Sequence, residues 1–289
     1  MNAVAERIVR LCKRRSYGEI RKAVTDRSSS GPTSLDMCFD NVSKVYLARG
    51  RKVVAVNGVS FTCAQGRFTT VLGASGCGKS TLLSIAAGLV SADGGAVTLG
   101  GRPVKEPSPE RGMVFQHYAL FPWLSVKDNV GFSLRYKSLK GTKREAAVRH
   151  ALELVGLERF ADALPKELSG GMKQRCALAR ALAAEPAVLL MDEPFGALDA
   201  MTRERLQQEL LRVVGQEGLT VCFVTHDVDE AIYLSTDIVV MDEIRKCVKS
   251  KVEVALPWPR EPAMRVSGEF VEMKRIVWSE LHAREQATS

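Results

Sequence analysis

A glycine-rich segment at residues 73–81 limits what this chain can fold into more than any other feature does. It follows the apolar run Phe68–Leu72, which has the length of a buried strand, and it leads into helical periodicity over Lys79–Leu89. A strand, a glycine-rich loop and a helix in this order direct backbone N–H groups and the positive end of a helix dipole at one point. Such a loop binds phosphate; a glycine-rich turn without a ligand is the alternative. Its residues are Gly73, Ala74, Ser75, Gly76, Cys77, Gly78, Lys79, Ser80 and Thr81.

The last residues of this loop indicate which phosphate compound it takes. Lys79 is placed to reach the β- and γ-phosphates of a nucleotide, and Ser80 is placed to ligate Mg²⁺. The glycines let the backbone turn tightly and approach an anion without a Cβ in the way. We therefore expect a nucleoside triphosphate and Mg²⁺ to bind here.

Composition restricts the class of protein. The chain has 289 residues with 46% hydrophobic and 26% charged residues, as in ordinary globular proteins. No apolar run approaches 18 residues, so we expect at most a peripheral place at a membrane. Of the net charge of +8, residues 1–30 carry +5, since they hold eight Arg or Lys and three Asp or Glu. Nucleic acid is not expected as a partner. The seven cysteines include no CxxC pair, which favours reduced thiols in a cytosolic protein.

Charge, linker-like composition and the periodicity of apolar residues divide the chain into three parts. Residues 1–34 form a basic N-terminal extension that ends in the Ser, Gly and Pro-rich stretch 28–34, and we expect it to be disordered. A short amphipathic helix on a membrane surface or a contact with nucleic acid are the alternatives. Residues 35–245 form the main domain, and residues 246–289 a short C-terminal extension.

Within residues 35–245, short strand-like runs come first, helices follow, and strands then alternate with helices. This order predicts a parallel sheet flanked by helices, with a β-rich layer beside the phosphate loop and a helical insert at about 117–175. The strand-like runs are Leu35–Val42, Lys52–Val56, Val59–Cys63, Phe68–Leu72, Ala96–Leu99, Met113–Phe115, Ala187–Met191, Thr220–Thr225 and Asp237–Met241.

Polar residues follow two of the later strands. Asp192 and Glu193 come directly after Ala187–Met191, and His226 comes directly after Thr220–Thr225. Ligands of open α/β sheets bind at the carboxyl ends of the strands. We expect Asp192 to hold Mg²⁺ and Glu193 to polarise an attacking water. His226 then contacts the γ-phosphate or that water; a surface histidine that caps the next helix is the alternative.

A second helix start carries Ser169, Gly170 and Gly171. Ser169 has the character of an N-cap, which alone is a structural role. Two adjacent glycines weaken a helix start unless something must come close. Bare N–H groups at a helix N-terminus therefore predict a second anion site.

Taken together, these motifs resemble those of the ATP-binding cassette (ABC) ATPases over about residues 35–245. The resemblance implies a P-loop NTPase fold with a RecA-like core, an antiparallel β subdomain and an inserted helical subdomain. It implies ATP hydrolysis by a homodimer packed head to tail, in which Ser169, Gly170 and Gly171 act on the ATP of the other copy. It further implies that Asp199 links the two sites.

Two more roles follow from this resemblance alone. Gln116 matches the glutamine that touches Mg²⁺ or the lytic water and senses the membrane partner. Tyr46 occupies the place of the aromatic residue that stacks on adenine; an exposed tyrosine at a strand end is the alternative. Cys77 lies inside the phosphate loop, and the alternative to a functional role is that the loop simply accepts a small side chain there.

Three segments of the sequence are similar to those of importers for nitrate, alkanesulfonates and taurine. They are residues 115–130, 192–203 and 225–231. This implies a translocase subunit for a small anion, with two transmembrane permease subunits and a periplasmic solute-binding protein, at the cytoplasmic face of the inner membrane. The chain departs from this group at residues 242–251 and in its basic extension. The alternatives are an ABC ATPase of another importer or an exporter, or a soluble ABC ATPase outside transport.

Overall fold

A computed structural model describes residues 35–48, 50–137, 139 and 141–283. The expectations for residues 1–34 lie outside this range. A six-stranded sheet of order β10-β9-β3-β8-β7-β6 forms the centre of the fold, and all its strands are parallel except β10. Its strands are β3 (Phe68–Leu72), β6 (Arg111–Val114), β7 (Val188–Asp192), β8 (Thr220–Thr225), β9 (Asp237–Met241) and β10 (Val248–Glu253).

A second sheet has four antiparallel strands in the order β2-β1-β4-β5. They are β1 (Met37–Ala48), β2 (Arg51–Cys63), β4 (Gly94–Leu99) and β5 (Arg102–Pro103). The expectation of two strands at Lys52–Val56 and Val59–Cys63 was wrong, because β2 runs through Asn57 and Gly58 without a turn. Gly58 takes a left-handed φ of 62° where the register of β1 shifts, and its N–H donates to Ser43 Oγ.

Seven α-helices lie in the part of the chain that the structure describes. Helices α2, α3 and α4 fall between β6 and β7, so the expected helical insert is present. The helices are α1 (Lys79–Ala87), α2 (Val126–Phe132), α3 (Thr142–Leu154), α4 (Gly170–Leu182), α5 (Ala200–Glu217), α6 (Val228–Leu234) and α7 (Gly268–His282). Helix α1 ends earlier than its periodicity predicts, because Gly88 follows it with a left-handed φ of 77° and its N–H closes on the last turn.

Alternation along the central strands separates two hydrophobic cores. In β8, Val221 and Phe223 face one core, whereas Cys222 and Val224 face the other. The first core holds side chains of α4, α5, α6 and α7; the second holds α1 and the antiparallel sheet. Both faces of the sheet are covered, as buried parallel sheets require. The phosphate loop therefore starts from a strand that is buried on both sides.

The chain continues the central sheet beyond residue 245. The boundary expected there falls inside the turn between β9 and β10, and β10 pairs antiparallel with β9. Helix α7 then packs on α6 and buries Phe270, Met273 and Val277 in the first core. Residues 248–282 thus continue the central sheet and pack into the first core.

Candidate nucleotide-binding site

The phosphate loop joins β3 to α1 and is packed tightly against β2. A Cβ at Gly78 would lie 2.0 Å from the carbonyl oxygen of Ala55, and Gly78 has a φ of 101°. A Cβ at Gly73 would lie 2.7 Å from the Sγ atom of Cys77. No side chain fits at either position, since real Cβ contacts are longer. Glycine is required here by packing within the chain as well as by the approach of an anion.

Lys79 brings a buried positive charge into this loop. Its side chain is 4% exposed, and its Nζ donates to the carbonyl oxygens of Gly73 at 2.8 Å and Ala74 at 2.9 Å. The Nζ atom also lies 3.8 Å from Oε1 of Glu193. A buried ammonium needs compensating negative charge. A loop that ends in this ammonium at a helix N-terminus fits the phosphates of a nucleotide.

Two oxygen-bearing side chains meet beside the loop. Ser80 Oγ donates to Asp192 Oδ1 at 2.9 Å. Burial, and to a smaller extent the neighbouring Glu193, raises the pKa of Asp192, while the Ser80 hydroxyl opposes the shift. Mg²⁺ in nucleotide sites takes one or two protein oxygens together with phosphate oxygens and waters. A hydroxyl and a carboxylate at hydrogen-bond distance next to a phosphate loop fit that ion.

Glu193 lies between a cation and an imidazole. Its Oε2 atom is 3.0 Å from Nδ1 of His226, and its Oε1 atom faces Lys79. Its backbone has a left-handed φ of 41°, held by a hydrogen bond from its N–H to the carbonyl oxygen of Val224 at 3.0 Å. Such strained backbone is characteristic of functional positions. The carboxylate can accept a proton from a water placed at the end of the phosphate loop.

A buried polar network supports the strand end before His226, and the sequence reasoning missed it. Glu230 Oε2 accepts from Thr225 Oγ1 at 2.7 Å, and Glu230 Oε1 accepts from Gln207 Nε2 at 3.0 Å. Arg265 Nη2 donates to Gln207 Oε1 at 2.5 Å. Burial raises the pKa of Glu230. The available signal was the spacing of Asp227 and Glu230, which is that of an N-cap and the third residue of a helix.

The other expected site residues lie on two helix starts and a loop. Ser169 Oγ accepts from Met172 N at 3.3 Å, and Asp199 Oδ1 accepts from Thr202 N at 3.0 Å. The N–H of Thr202 lowers the pKa of Asp199. Among the described residues, no hydrogen bond or ion pair joins Ser169 or Asp199 to the phosphate loop of the same chain.

The two helix starts pack on each other, which accounts for one of the two adjacent glycines. A Cβ at Gly171 would lie 2.8 Å from Cγ2 of Thr202, and a Cβ at Gly170 would lie 3.5 Å from the hydroxyl of Tyr118. Gly171 is therefore needed for contact between α4 and α5 even without a ligand. Gln116 approaches the segment after Glu193, because a Cβ at Gly196 would lie 3.9 Å from Gln116 Nε2.

Tyr46 lies in the antiparallel sheet near the phosphate loop. It pairs with Val53 in β2, two residues before Ala55, whose carbonyl oxygen meets Gly78. Its side chain is 39% exposed, and Lys44 Nζ is 5.6 Å from its ring centroid. An exposed ring on β1, next to the strand that supports the loop, can stack on a flat base.

Comparison with known proteins places this geometry in a family. The model of the family described as ABC transporter matches residues 56–196. The aliphatic sulfonates import ATP-binding protein SsuB of Bacillus cereus is 44% identical over 243 residues, which cover 84% of this chain and 94% of that protein. The taurine import ATP-binding protein TauB of Rhizobium johnstonii is 43% identical over 258 residues, covering 86% and 98%.

A solved structure gives the same result at the level of the fold. The dimeric structure of the ATP-binding cassette MJ0796 in a post-hydrolysis state, bound to ADP and Pi, superposes with a TM-score of 0.67 at 31% identity. The match covers 76% of this chain and all of that one. In the part of the chain that the structure describes, no helix is long and apolar enough to cross a membrane. The chain therefore belongs to the ABC transporter family, as one of the ATP-hydrolysing cassettes of that family.

Proposed function

We propose that this chain is the ATPase subunit of an importer that takes up a small anionic solute, such as an alkanesulfonate, taurine or nitrate. The observation that carries this proposal is the assembled set Lys79, Glu193 and His226, with Ser80 and Asp192 beside it. These groups meet the needs of phosphoryl transfer to water. The names of the sulfonate and taurine relatives support the direction of transport and the class of solute.

Hydrolysis begins with placement of the triphosphate. The amides of residues 73–81 and the ammonium of Lys79 bind the β- and γ-phosphates, so Lys79 exchanges its carbonyl partners for phosphate oxygens. Ser80, Asp192 and Gln116 would hold Mg²⁺, which would neutralise charge on the phosphates. Tyr46 stacks on the adenine. This proposal uses the burial of Lys79 and the contact between Ser80 and Asp192.

Glu193 then orients a water in line with the γ-phosphate. The water oxygen forms a bond to phosphorus, the bond to the β-phosphate oxygen breaks, and the water's proton passes to Glu193 Oε2. ADP leaves with the electron pair of the broken bond. His226 acts through its contact with this carboxylate, which fixes the side chain. The positive charge of Lys79 stabilises charge that develops during transfer.

A homodimer completes the site. Ser169 caps α4, which begins with Gly170 and Gly171, and we propose that the N–H groups of this helix start bind the γ-phosphate held by the second copy. Asp199, at the start of the adjoining helix, links the two sites. The dimeric form of the solved relative supports this arrangement.

The segment after Gln116 presents aromatic side chains for contact with a permease. Trp123 is 73% exposed, and its ring centroid lies 5.8 Å from that of Phe121, which also packs on Phe132. We propose that each cassette receives a short helix of one of two permease subunits here, at the cytoplasmic face of the inner membrane. A periplasmic binding protein would select the solute.

Complementation of a deletion strain tests the importer role. The wild-type gene should restore growth on an alkanesulfonate or taurine as sole sulfur source, or on nitrate as sole nitrogen source. Trp123→Ala should abolish this growth while the purified variant retains its ATPase activity, and Trp278→Ala, which removes an exposed tryptophan from α7, should have no effect. Unchanged growth of the deletion strain on all three, together with loss of efflux, would instead assign the chain to an exporter.

A further inference from the structure

The turn between β9 and β10 carries a second ammonium group to the phosphate loop. Lys246 Nζ donates to the carbonyl oxygen of Gly76 at 2.9 Å. This turn lies in the stretch where the sequence departs from the importer group, and none of the motifs described above includes Lys246. The loop thus has one lysine bound to Gly73 and Ala74 from inside and another bound to Gly76 from outside.

The backbone of the turn fixes where Lys246 points. Asp242 Oδ1 accepts from the N–H groups of Ile244 at 2.8 Å and Arg245 at 2.6 Å, and the N–H of Lys246 donates to Asp242 O at 3.1 Å. Lys246 has a left-handed φ of 58°, and its carbonyl oxygen accepts from the N–H of Asn57 in β2 at 2.8 Å. The base of the side chain is therefore held from two elements.

The hydrogen bond from Lys246 has a physical consequence for an anion site. Gly76 has a φ of 79°, a conformation that glycine adopts readily, and the hydrogen bond from Lys246 to its carbonyl oxygen limits movement of this peptide group. Carbonyl oxygens repel phosphate, and an ammonium on the Gly76 oxygen offsets that repulsion. The same ammonium adds positive potential at the place where the triphosphate binds.

We propose that Lys246 is a positioning residue for ATP. Through the Gly76 carbonyl it holds the phosphate loop in the conformation that binds phosphate, and its charge strengthens the attraction of the loop for a polyphosphate. The inference about Lys246 rests on ATP binding by this loop and not on the importer role. If the inference fails, the importer role is unaffected, and if the importer role fails, the inference is unaffected.

The test compares Lys246→Met, Lys246→Arg and Lys251→Met in the full-length protein. Lys251 is an exposed lysine on β10 of the same hairpin and serves as the matched control. By titration calorimetry, Lys246→Met should raise the Kd for ATP about three- to tenfold, the effect of one lost charge-assisted hydrogen bond. Lys246→Arg should stay within about twofold of wild type, and so should Lys251→Met.

Three further measurements separate positioning from a merely structural role. Lys246→Met should raise KM for ATP with kcat nearly unchanged, and its ATP affinity should fall less steeply with added KCl than that of wild type. Its Tm without nucleotide should match that of Lys251→Met. Wild-type ATP affinity in Lys246→Met would overturn the proposal. So would an equal loss in Lys246→Arg, or a lowered Tm without nucleotide combined with a wild-type salt dependence.

Discussion

His226 Nδ1 lies 3.0 Å from Glu193 Oε2, so an imidazole at the end of β8 restrains a carboxylate at the end of the neighbouring β7. The other oxygen of the same carboxylate faces the buried ammonium of Lys79 at 3.8 Å. This arrangement connects two strand ends that are 33 residues apart in the chain. It also makes the orientation of Glu193 depend on His226, which can be measured.

Removal of the imidazole should slow hydrolysis without preventing nucleotide binding. His226→Ala should lower kcat by about a hundredfold, because a free Glu193 no longer orients water, while the Kd for ATP stays within about threefold. Steady-state ATPase assays and calorimetry would measure both values. His150→Ala serves as control, since His150 is exposed and pairs only at 3.8 Å with Glu217. Wild-type kcat in His226→Ala would contradict the restraint.

Replacement of the carboxylate itself should be more severe. Glu193→Gln keeps the shape of the side chain but cannot take a proton from water, so kcat should fall about 10²- to 10⁴-fold with ATP binding retained. The variant should then accumulate as an ATP-bound dimer in size-exclusion chromatography. Near-normal turnover in this variant would remove Glu193 from its proposed role.

The sequence predicted the catalytic strand ends well because strand, loop and residue type coincide there. Phe68–Leu72 and Thr220–Thr225 have the expected limits, and the residues after them lie at one edge of the sheet. Two aspects required the structure. The Asn57-Gly58 pair, which is typical of turns, continues β2 because β1 shifts its register opposite to it. The network from Arg265 to Glu230 joins residues far apart in sequence, and the spacing of Asp227 and Glu230 indicates only its helix cap.

A matched pair of cap removals tests the proposed dimer site. Ser169 caps α4 and Ser125 caps α2, each by accepting a hydrogen bond from the N–H three residues on. Both Ser169→Ala and Ser125→Ala should lower the free energy of unfolding by about 1 kcal/mol. Only Ser169→Ala should also lower ATPase activity, because the helix start of α4 is proposed to face the ATP of the second copy. Equal ATPase activity in the two variants would contradict this role.

The elevated pKa of Asp192 predicts a specific dependence of stability on pH. Between its ordinary pKa of 3.8 and the raised value, the folded protein binds more protons than the unfolded chain. The free energy of unfolding contributed by this group therefore falls as pH rises through that window and stays low above it. Asp192→Asn should be more stable than wild type at pH 7 without nucleotide, and the gain should shrink as pH falls toward 3.8.

Asp93 provides a comparison of opposite sign for the same urea-unfolding experiments. A hydrogen bond from Lys44 lowers the pKa of Asp93, so its contribution is present above pH 3.8 and is lost as pH falls through the lowered value. Asp93→Asn should therefore be less stable than wild type at pH 7. A pH-independent difference between Asp192→Asn and wild type would show that burial does not raise the pKa of Asp192.

The C-terminal helix should contribute to the stability of the whole domain. Phe270 is 3% exposed within the first core, whereas its neighbour Val271 is 59% exposed. Phe270→Ala should cost about 3–5 kcal/mol of unfolding free energy, and Val271→Ala less than about 0.5 kcal/mol. Denaturant unfolding of the two variants measures this directly. Similar small losses in both would show that α7 does not stabilise the first core.

The contact of Gly78 with the Ala55 carbonyl affects how the free energy of nucleotide binding is divided. Because no side chain separates the loop from β2, the strand that pairs with Tyr46 and the surface that receives phosphate keep a constant spacing. If Tyr46 stacks on the base as proposed, the base and the phosphates bind to two surfaces whose spacing is fixed before the nucleotide arrives. Little of the binding free energy is then needed to order the site within one copy. Most of it remains available to bring two copies together and to move the subunits bound to them.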